Sequence, residues 1–319
     1  MRNILFASAA LVALAAPAFA ADSGDLSAFA STSGVGVAVS ASITPPALPD
    51  FPSTASSVAF IDQIGSDNLN TQSQFGALNL SVVKQNGSND KSDVIQATSG
   101  YGATLRNVSV IDQIGSNIVG TVRQDGSANS AYAVTTGSHS GTYQGQTGTG
   151  HVSSVVQGSA YKAVVNNNAH TAQEGADHTA LVSQTGSFNY GQSVQNGEGN
   201  LSVQLQMGDS STAYVTQYSG SSYNKAGQSQ SGSNNFAVIE QGGSLNGAVQ
   251  FQSGYGNEAF ANQSGTGNSA AQGQFSNGGY AKVVQNGSGN GSYQTQMIGN
   301  AYANAYQKGN GNISLQSQQ

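Results

Sequence analysis

The chain has 319 residues, a formal net charge of −6 at pH 7, only 8% charged residues and no cysteine. The missing cysteines exclude a disulfide framework, and the nine Lys and Arg residues are scattered singly, so we expect no nucleic-acid partner. A chain rich in Gly, Ser, Asn and Gln is typical of disorder, of a repeat solenoid or of an amyloid-type assembly.

Residues 1–20 have the pattern of an export signal. Arg2 precedes an apolar run from Ile4 to Ala16, and Ala18-Phe19-Ala20 forms a small-x-small cleavage site. We expect cleavage after Ala20 and a secreted, extracellular protein. No later stretch approaches the ~18 apolar residues of a membrane-spanning helix, so we expect no membrane insertion.

Residues 21–57 are rich in Ser and Ala, lack glutamine and include the prolines of TPPALPDFP. This composition predicts an extended leader or linker.

From residue 58 to 319, glutamines recur at a fixed distance. Of the 21 gaps in the series from Gln63 to Gln318, 17 are eleven residues, and one unit reads Q-x-G-x-x-N-x-A-x-x-x. The ninth position alternates between aliphatic or small residues and Gln near the C-terminus, as in Ile239, Gln250, Ala261 and Gln272. The true repeat is therefore 22 residues long, with two unlike elevens.

Each eleven predicts one strand and one turn. Positions seven, nine and eleven share a strand face, while Gly supplies positive φ and Asn a left-handed backbone with side-chain-to-backbone bonds. The predicted fold is all-β, a flat parallel β-solenoid of 22-residue rungs that resembles amyloid. The repeat is degraded around 97–112, 130–143 and 158–172.

Stacked rungs bring equivalent amides together, so each Gln can donate to one neighbouring rung and accept from the other. The predicted self-assembly ladder consists of Gln63, Gln74, Gln85, Gln184, Gln195, Gln206, Gln217, Gln241, Gln252, Gln263, Gln274, Gln285, Gln296, Gln307 and Gln318. The predicted turn residues are Gly65, Asn68, Gly76, Asn79, Gly243, Asn246, Gly254, Asn257, Gly265, Asn268, Gly287, Asn290, Gly309 and Asn312. No proline interrupts residues 53–319 and the repeat keeps its phase to Gln318, so we expect an open edge that adds another copy.

Two segments carry a family resemblance, NNFAVIEQGGSLNGAVQFQ at 234–252 and GNGSYQTQMIGNAYANAYQ at 289–307. They resemble the curlin repeat of bacterial curli fibre subunits, and the resemblance covers residues 57–319. It implies a functional amyloid fibre, or pilus, for biofilm matrix and cell adhesion. It also implies a nucleator subunit and a dedicated secretion pore as partners, with this chain closer to the major, polymerising subunit. The family has about five 22-residue repeats, and this chain has about twice that number.

The sequence predicts neither a metal site nor a catalytic site. Among the four histidines between residues 139 and 178, His151 and His178 occupy the Asn position of the turn, so we expect polar substitution and no metal site. Asp62 and Asp112 precede ladder glutamines, but no basic residue recurs beside them at a fixed offset, so we expect no catalysis and no cofactor. The alternatives are a monomeric β-solenoid adhesin or surface-binding module, which would need a repetitive outward column, and a β-helical hydrolase.

Overall fold

The computed structural model describes residues 57–76, 79–97, 107–158 and 164–319. The predicted export signal, and the predicted leader up to residue 56, lie outside the described residues. The described residues form a parallel β-solenoid with turns of about 22 residues and no helix, which confirms the predicted fold class. Within these ranges no helix is long and apolar enough to cross a membrane.

The chain divides into two compact units, whose described residues lie within 57–194 and 195–319. In the first unit, one sheet has the strand order β1-β3-β5-β7-β9-β12 and the other contains β2-β4-β6-β8-β11. Its strands are β1 (Ser57–Ser66), β2 (Leu69–Phe75), β3 (Asn79–Ser88), β4 (Lys91–Ala97), β5 (Val108–Ser116), β6 (Val119–Ser127), β7 (Ser130–Ser138), β8 (Gly141–Thr149), β9 (Val152–Gln157), β10 (Val164–Val165), β11 (Asn168–Ala176) and β12 (Thr179–Gln184). The division falls within β13 (Tyr190–Glu198).

The second unit has the same organisation, with the orders β14-β16-β18-β20-β22-β24 and β15-β17-β19-β21-β23. Its strands are β14 (Leu201–Asp209), β15 (Thr212–Gln217), β16 (Lys225–Ser233), β17 (Phe236–Ser244), β18 (Gly247–Tyr255), β19 (Glu258–Thr266), β20 (Ser269–Gln274), β21 (Tyr280–Ser288), β22 (Gly291–Gln296), β23 (Tyr302–Asn310) and β24 (Ile313–Gln318). Successive strands of this unit therefore enter alternate sheets.

The pairing register follows the sequence repeat. β17 pairs with β19 in parallel and places Gln241 opposite Gln263, and β19 places Gln263 opposite Gln285. Because side chains alternate between the two faces of a strand, Ala237, Ile239 and Gln241 of β17 point inward and are buried. The 22-residue period thus puts like residues next to like on the same face.

Aliphatic side chains fill the space between the two sheets. In the second unit Val215, Ile239, Ala261 and Val283 form a buried cluster with small residues of the facing sheet. In the first unit aliphatic residues occupy the ninth position of both sheets from β3 to β6, where Val83, Val94, Ile111 and Val122 pack together. The two units therefore fill the same inward position differently.

Insertions in the sequence leave the strand register intact. Gln85 lies opposite Gln113, although the two are 28 residues apart, and the additional residues follow β4. Thr135, which interrupts the Gln series, lies opposite both Gln113 and Gln157. Strands β7 and β11 also form within stretches where the repeat is degraded.

Candidate functional site

The predicted glutamines form continuous hydrogen-bonded columns. Gln241 is fully buried, and its amide nitrogen donates to Oε1 of Gln263 at 2.9 Å and to the backbone oxygen of Lys225 at 3.0 Å. A carbonyl oxygen only accepts, so this second bond fixes which end of the amide carries the N–H groups. In the second unit the same bond, at 2.8–3.1 Å, joins Gln195–Gln217–Gln241–Gln263–Gln285–Gln307 and Gln206–Gln230–Gln252–Gln274–Gln296–Gln318.

The first unit contains shorter versions of these columns. Gln63 donates to Gln85, and Gln85 donates to Gln113 at 2.9 Å. In the other sheet the bonds run Gln74–Gln96–Gln124–Gln146–Gln173. Gln157 donates to Gln184 at 2.9 Å, and it accepts from the hydroxyl of Thr135 at 3.1 Å. Thr135 is therefore a member of the ladder, at the position where the spacing of the glutamines leaves a gap.

A third column runs through one sheet of the second unit at the ninth position of the repeat. It joins Gln204–Gln228–Gln250–Gln272–Gln294–Gln316 at 2.8–3.0 Å. The aliphatic residues that alternate with these glutamines in sequence, such as Ile239 and Val283, lie in the other sheet. The two unlike elevens thus correspond to the two sheets, one with a double amide column and one with a single column and an aliphatic column.

Every Gln–Gln bond in these columns has the same direction. The nitrogen always belongs to the residue earlier in the chain, and the oxygen to the residue one turn later. Buried amides such as those of Gln241 and Gln252 also donate to a backbone carbonyl, so exchanging the nitrogen and oxygen of one such amide would lose both of its donor bonds. The columns are therefore polar, with acceptors facing the N-terminal side and donors facing the C-terminal side.

The asparagines of the turns form a second kind of column. Asn268 receives a hydrogen bond from the backbone N–H of Asn290 at 3.1 Å, and its amide donates to the backbone oxygen of Gly287 at 2.9 Å. Asn246 makes the corresponding bonds to the N–H of Asn268 and to Gly265. These side chains connect adjacent turns of the solenoid as well as closing their own.

The prediction of a left-handed backbone at these asparagines is wrong. Positive φ occurs one residue earlier, at Asp67, Asn117 and Asn234, for example, with φ of 55–56°. The asparagine side chain itself points into the solenoid, and Asn246, Asn257 and Asn268 are at most 1% exposed. The preceding, exposed residue adopts the left-handed backbone of the turn. The Asn amide points inward and makes the hydrogen bonds of the column.

The turn glycines have a steric role. A Cβ added to Gly243, which has φ of +86°, would lie 2.1 Å from the backbone oxygen of Gly265, and one added to Gly265 would lie 2.0 Å from the oxygen of Gly287. Gly65, Gly76, Gly254 and Gly309 also have positive φ. Only a residue without a side chain allows adjacent turns to approach this closely.

The two histidines in the Asn position reproduce the asparagine bonds. His151 Nε2 lies 3.0 Å from the oxygen of Thr147, and its Nδ1 accepts from the N–H of His178 at 3.3 Å. The rings of His151 and His178 stack at 5.1 Å. Burial lowers the pKa of His151, so the neutral ring that this bonding requires is favoured. Within the described residues no group of three or more His, Cys, Asp or Glu could hold a metal ion.

The two aspartates considered as a catalytic pair are separated by a lysine. The register places Lys84 opposite both Asp62 and Asp112. A fixed offset in the sequence does not reveal this lysine, because it lies 22 residues from one aspartate and 28 from the other. The geometry is that of alternating charges on neighbouring strands.

A row of aromatic rings lies on the second unit. It joins Tyr214, Phe236, Phe260, Tyr280 and Tyr302, with ring centroids 5.0–5.9 Å apart. The row passes diagonally between two outward positions of the repeat, so a search for one repeated position does not find it. Burial raises the pKa of Tyr280, which keeps its hydroxyl protonated.

Comparison of the chain with protein-family models and with curated proteins gives no match.

Proposed function

We propose that this protein is a secreted structural subunit of a curli-like functional amyloid fibre, which assembles by templated strand addition for biofilm matrix and surface adhesion. The observation that carries the proposal is the set of buried, parallel, in-register amide columns. Such columns can continue from one chain into another without any change of geometry. Secretion follows from the export signal expected at residues 1–20, and a nucleator subunit and a secretion pore are proposed as partners.

The proposed mechanism needs no cofactor. An incoming strand docks on an edge strand, exchanges hydrogen bonds to water for ladder bonds and buries inward side chains. Ile61 illustrates the gain, because it is 49% exposed on the edge strand β1, whereas its pairing partner Val83 on β3 is fully buried. Burial of such a side chain contributes about 1.5–3 kcal/mol.

Seeded growth tests the proposal. Purified chain beginning at Ala21 is followed by thioflavin fluorescence, with and without a small dose of sonicated preformed product. We expect a lag phase that seeds abolish, because the exposed columns of the seeds replace slow nucleation. Seeds of an unrelated amyloid are the control, and they should leave the lag unchanged.

A binding module is the second candidate function, and the aromatic row from Tyr214 to Tyr302 favours it. The rings are partly or mostly exposed, and aromatic side chains of this kind are enriched at binding interfaces. The same measurement separates the two candidates. If the folded β protein stays monomeric and seeds do not raise its thioflavin fluorescence, this outcome would contradict the fibre function and support a monomeric β-solenoid adhesin.

A further inference from the structure

Two edges of the described solenoid carry inward-facing groups without a neighbouring rung. We name β1 and β2 the leading edge and β23 and β24 the trailing edge. Among the described residues β1 pairs only with β3 and β24 only with β22. Apolar side chains are exposed at both edges, with Leu69 57% and Ile313 76% exposed.

The hydrogen-bonding groups at the two edges are opposite in kind. At the trailing edge, Gln316 and Gln318 each accept a ladder bond and donate one N–H to a backbone oxygen, which leaves a second N–H. At the leading edge, Gln63 and Gln74 donate ladder bonds, and their oxygens accept none from the described residues. One edge therefore presents donors and the other presents acceptors.

Two buried oxygens on β2 point to the missing partner. Asn70 Oδ1 and Gln72 Oε1 are buried, and neither accepts a hydrogen bond in the part of the chain that the structure describes. A buried acceptor without a donor costs about 1–3 kcal/mol. The nitrogens of the same two side chains are bonded, to Ser92 Oγ at 2.7 Å and to the oxygen of Phe60 at 3.4 Å, so the amides are held in place.

The two edges match in spacing. In the second unit each strand pairs with the strand two positions later, so the next two strands after β24 would pair with β23 and β24 in turn. Gln63 and Gln74 are eleven residues apart, as are Gln307 and Gln318. When Gln63 is placed opposite Gln307, Gln74 therefore falls opposite Gln318 without adjustment.

This register also matches the neighbouring side chains. Asn70 falls opposite Ser314 and Gln72 opposite Gln316, so each unpaired oxygen meets a hydroxyl or amide donor. The exposed Leu69 meets the exposed Ile313, which brings two apolar side chains together. The aliphatic position of β1 meets that of β23, and the glutamine position of β2 meets that of β24.

The outward charges agree with the same arrangement. Lys308 on β23 falls two residues from the position opposite Asp62 on β1, on the same face, where a long side chain reaches a diagonal neighbour. Two leading edges would instead set acceptor against acceptor, and two trailing edges would set donor against donor.

We propose that the partner of the trailing edge is the leading edge of a second copy of this chain, joined head to tail with Gln63 on Gln307 and Gln74 on Gln318. This inference rests on the proposed fibre function and adds its polarity and its register. The contact is heterologous, so one copy presents β23 and β24 while the next presents β1 and β2.

Engineered cysteines test the register, because the native chain contains none. The outward residues Ser73 and Ser317 fall opposite each other in the proposed contact. Neighbouring strands lie about 4.8 Å apart, within the range of about 4.4–6.8 Å that a disulfide spans. An equimolar mixture of isotope-labelled Ser73→Cys chain and unlabelled Ser317→Cys chain is assembled under reducing conditions and then oxidised.

We expect a disulfide between one labelled and one unlabelled chain, identified by mass spectrometry of the cross-linked peptides. The matched control mixes Ser73→Cys with Thr295→Cys, because Thr295 lies opposite Ser317 one rung further inside. That mixture should give no cross-link.

The outcomes separate this inference from the proposed function. Fibres that grow with seeding but give disulfides only between identical variants, or no disulfide between the Ser73→Cys and Ser317→Cys chains, would overturn the head-to-tail register and leave the fibre function standing. Absence of any seeded assembly, in the parent chain as well as in both single variants, would overturn both.

Discussion

At the scale of single residues, Asp90 shows what the turn asparagine contributes. It is fully buried in the Asn position, and its Oδ1 accepts from the N–H of Ile118 at 3.0 Å, as an Asn oxygen would. Its Oδ2 is buried without a partner among the described residues, where an Asn would present N–H groups. Burial raises the pKa of this carboxyl group. The folded chain therefore favours the protonated form.

Replacement of Asp90 by Asn should raise the free energy of unfolding at pH 7 by about 1–2 kcal/mol, because the amide supplies the missing donor. The raised pKa sets the sign of the pH dependence. The carboxyl contributes no penalty below its unfolded pKa, and the penalty grows as the pH rises through the raised folded pKa. The gain should therefore be largest at pH 7 and disappear near about pH 3.

Urea unfolding midpoints of unassembled chain at the two pH values measure this effect. The exposed Asp62 provides the control, because its carboxylate is not buried, and Asp62→Asn should not raise the free energy of unfolding at pH 7. An equal gain from Asp90→Asn at both pH values would show that charge burial is not the cause.

At the scale of one turn, we expect substitutions at two neighbouring glycines to affect stability differently. A Cβ on Gly287 would lie 2.0 Å from the oxygen of Gly309, whereas a Cβ on Gly289 would meet nothing within 4 Å. Gly289 has φ of +64°, and Asn234 and Asn300 adopt φ of 55° at the same position of other turns.

We expect Gly287→Ala to lower the free energy of unfolding by about 2–3 kcal/mol, because the backbone must move away from the next turn. The control, Gly289→Asn, should change it by less than about 0.5 kcal/mol. Both are measured by urea unfolding. Similar losses in the two variants would mean that φ, rather than close approach of the turns, makes Gly287 necessary.

At the scale of strands, the trailing edge should determine the rate of growth. Replacement of Gln296, Gln307 and Gln318 by Ala removes donors and acceptors from both sheets at this edge. Each lost bond is worth about 1 kcal/mol, so seeded elongation should slow at least about tenfold.

The control replaces the outward-facing Thr295, Tyr306 and Ser317 by Ala, in the same strands. Elongation by this control should remain within about threefold of the parent, because its ladder bonds are intact. Elongation rates come from thioflavin fluorescence with a fixed mass of parent seeds. Parent-like kinetics for the glutamine variant would rule out growth through the ladder.

At the scale of the whole molecule, net charge should govern how fast copies meet. The chain carries −6 at pH 7 and has a sequence pI of about 4.9. Copies therefore repel each other at neutral pH, and the repulsion disappears near pH 5.

Seeded growth should be faster at pH 5 than at pH 7 at low ionic strength. Added salt should raise the growth rate at pH 7 toward that at pH 5, because at 0.15 M it screens the repulsion between charges more than about 8 Å apart. Light scattering and dye fluorescence measure the rates. Growth that is slower at pH 5, with the β structure intact by circular dichroism, would contradict this prediction.

The sequence predicts most of the solenoid, because its period is carried by buried residues that repeat at the strand spacing. Gln241 and its equivalents could be placed in a ladder before any coordinates, and their bonds have that arrangement. Contacts between positions that differ from turn to turn could not be predicted. The position of Lys84 between two aspartates depends on an insertion in the sequence. The diagonal contact of Phe236 with Phe260 depends on residues at two different positions of neighbouring strands.

The predicted backbone conformation of the turn asparagine was wrong for a related reason, whereas its predicted side-chain-to-backbone bonds are present. Asn is favoured in left-handed conformations, so its position in a Gly-x-x-Asn turn suggested that role. Burial decides otherwise, because an inward Asn provides both a donor and an acceptor to the next turn. An exposed neighbour such as Asn234 adopts the left-handed backbone instead.

The common direction of the ladder bonds has an electrical consequence. Each side-chain amide has a dipole of about 3.5 D, similar to that of a peptide group. In the second unit three columns of amides point the same way, so their dipoles add instead of cancelling. A stack of such units would have a permanent electric dipole, with one positive and one negative end. It should generate second-harmonic light, and it should orient with one fixed polarity in an electric field.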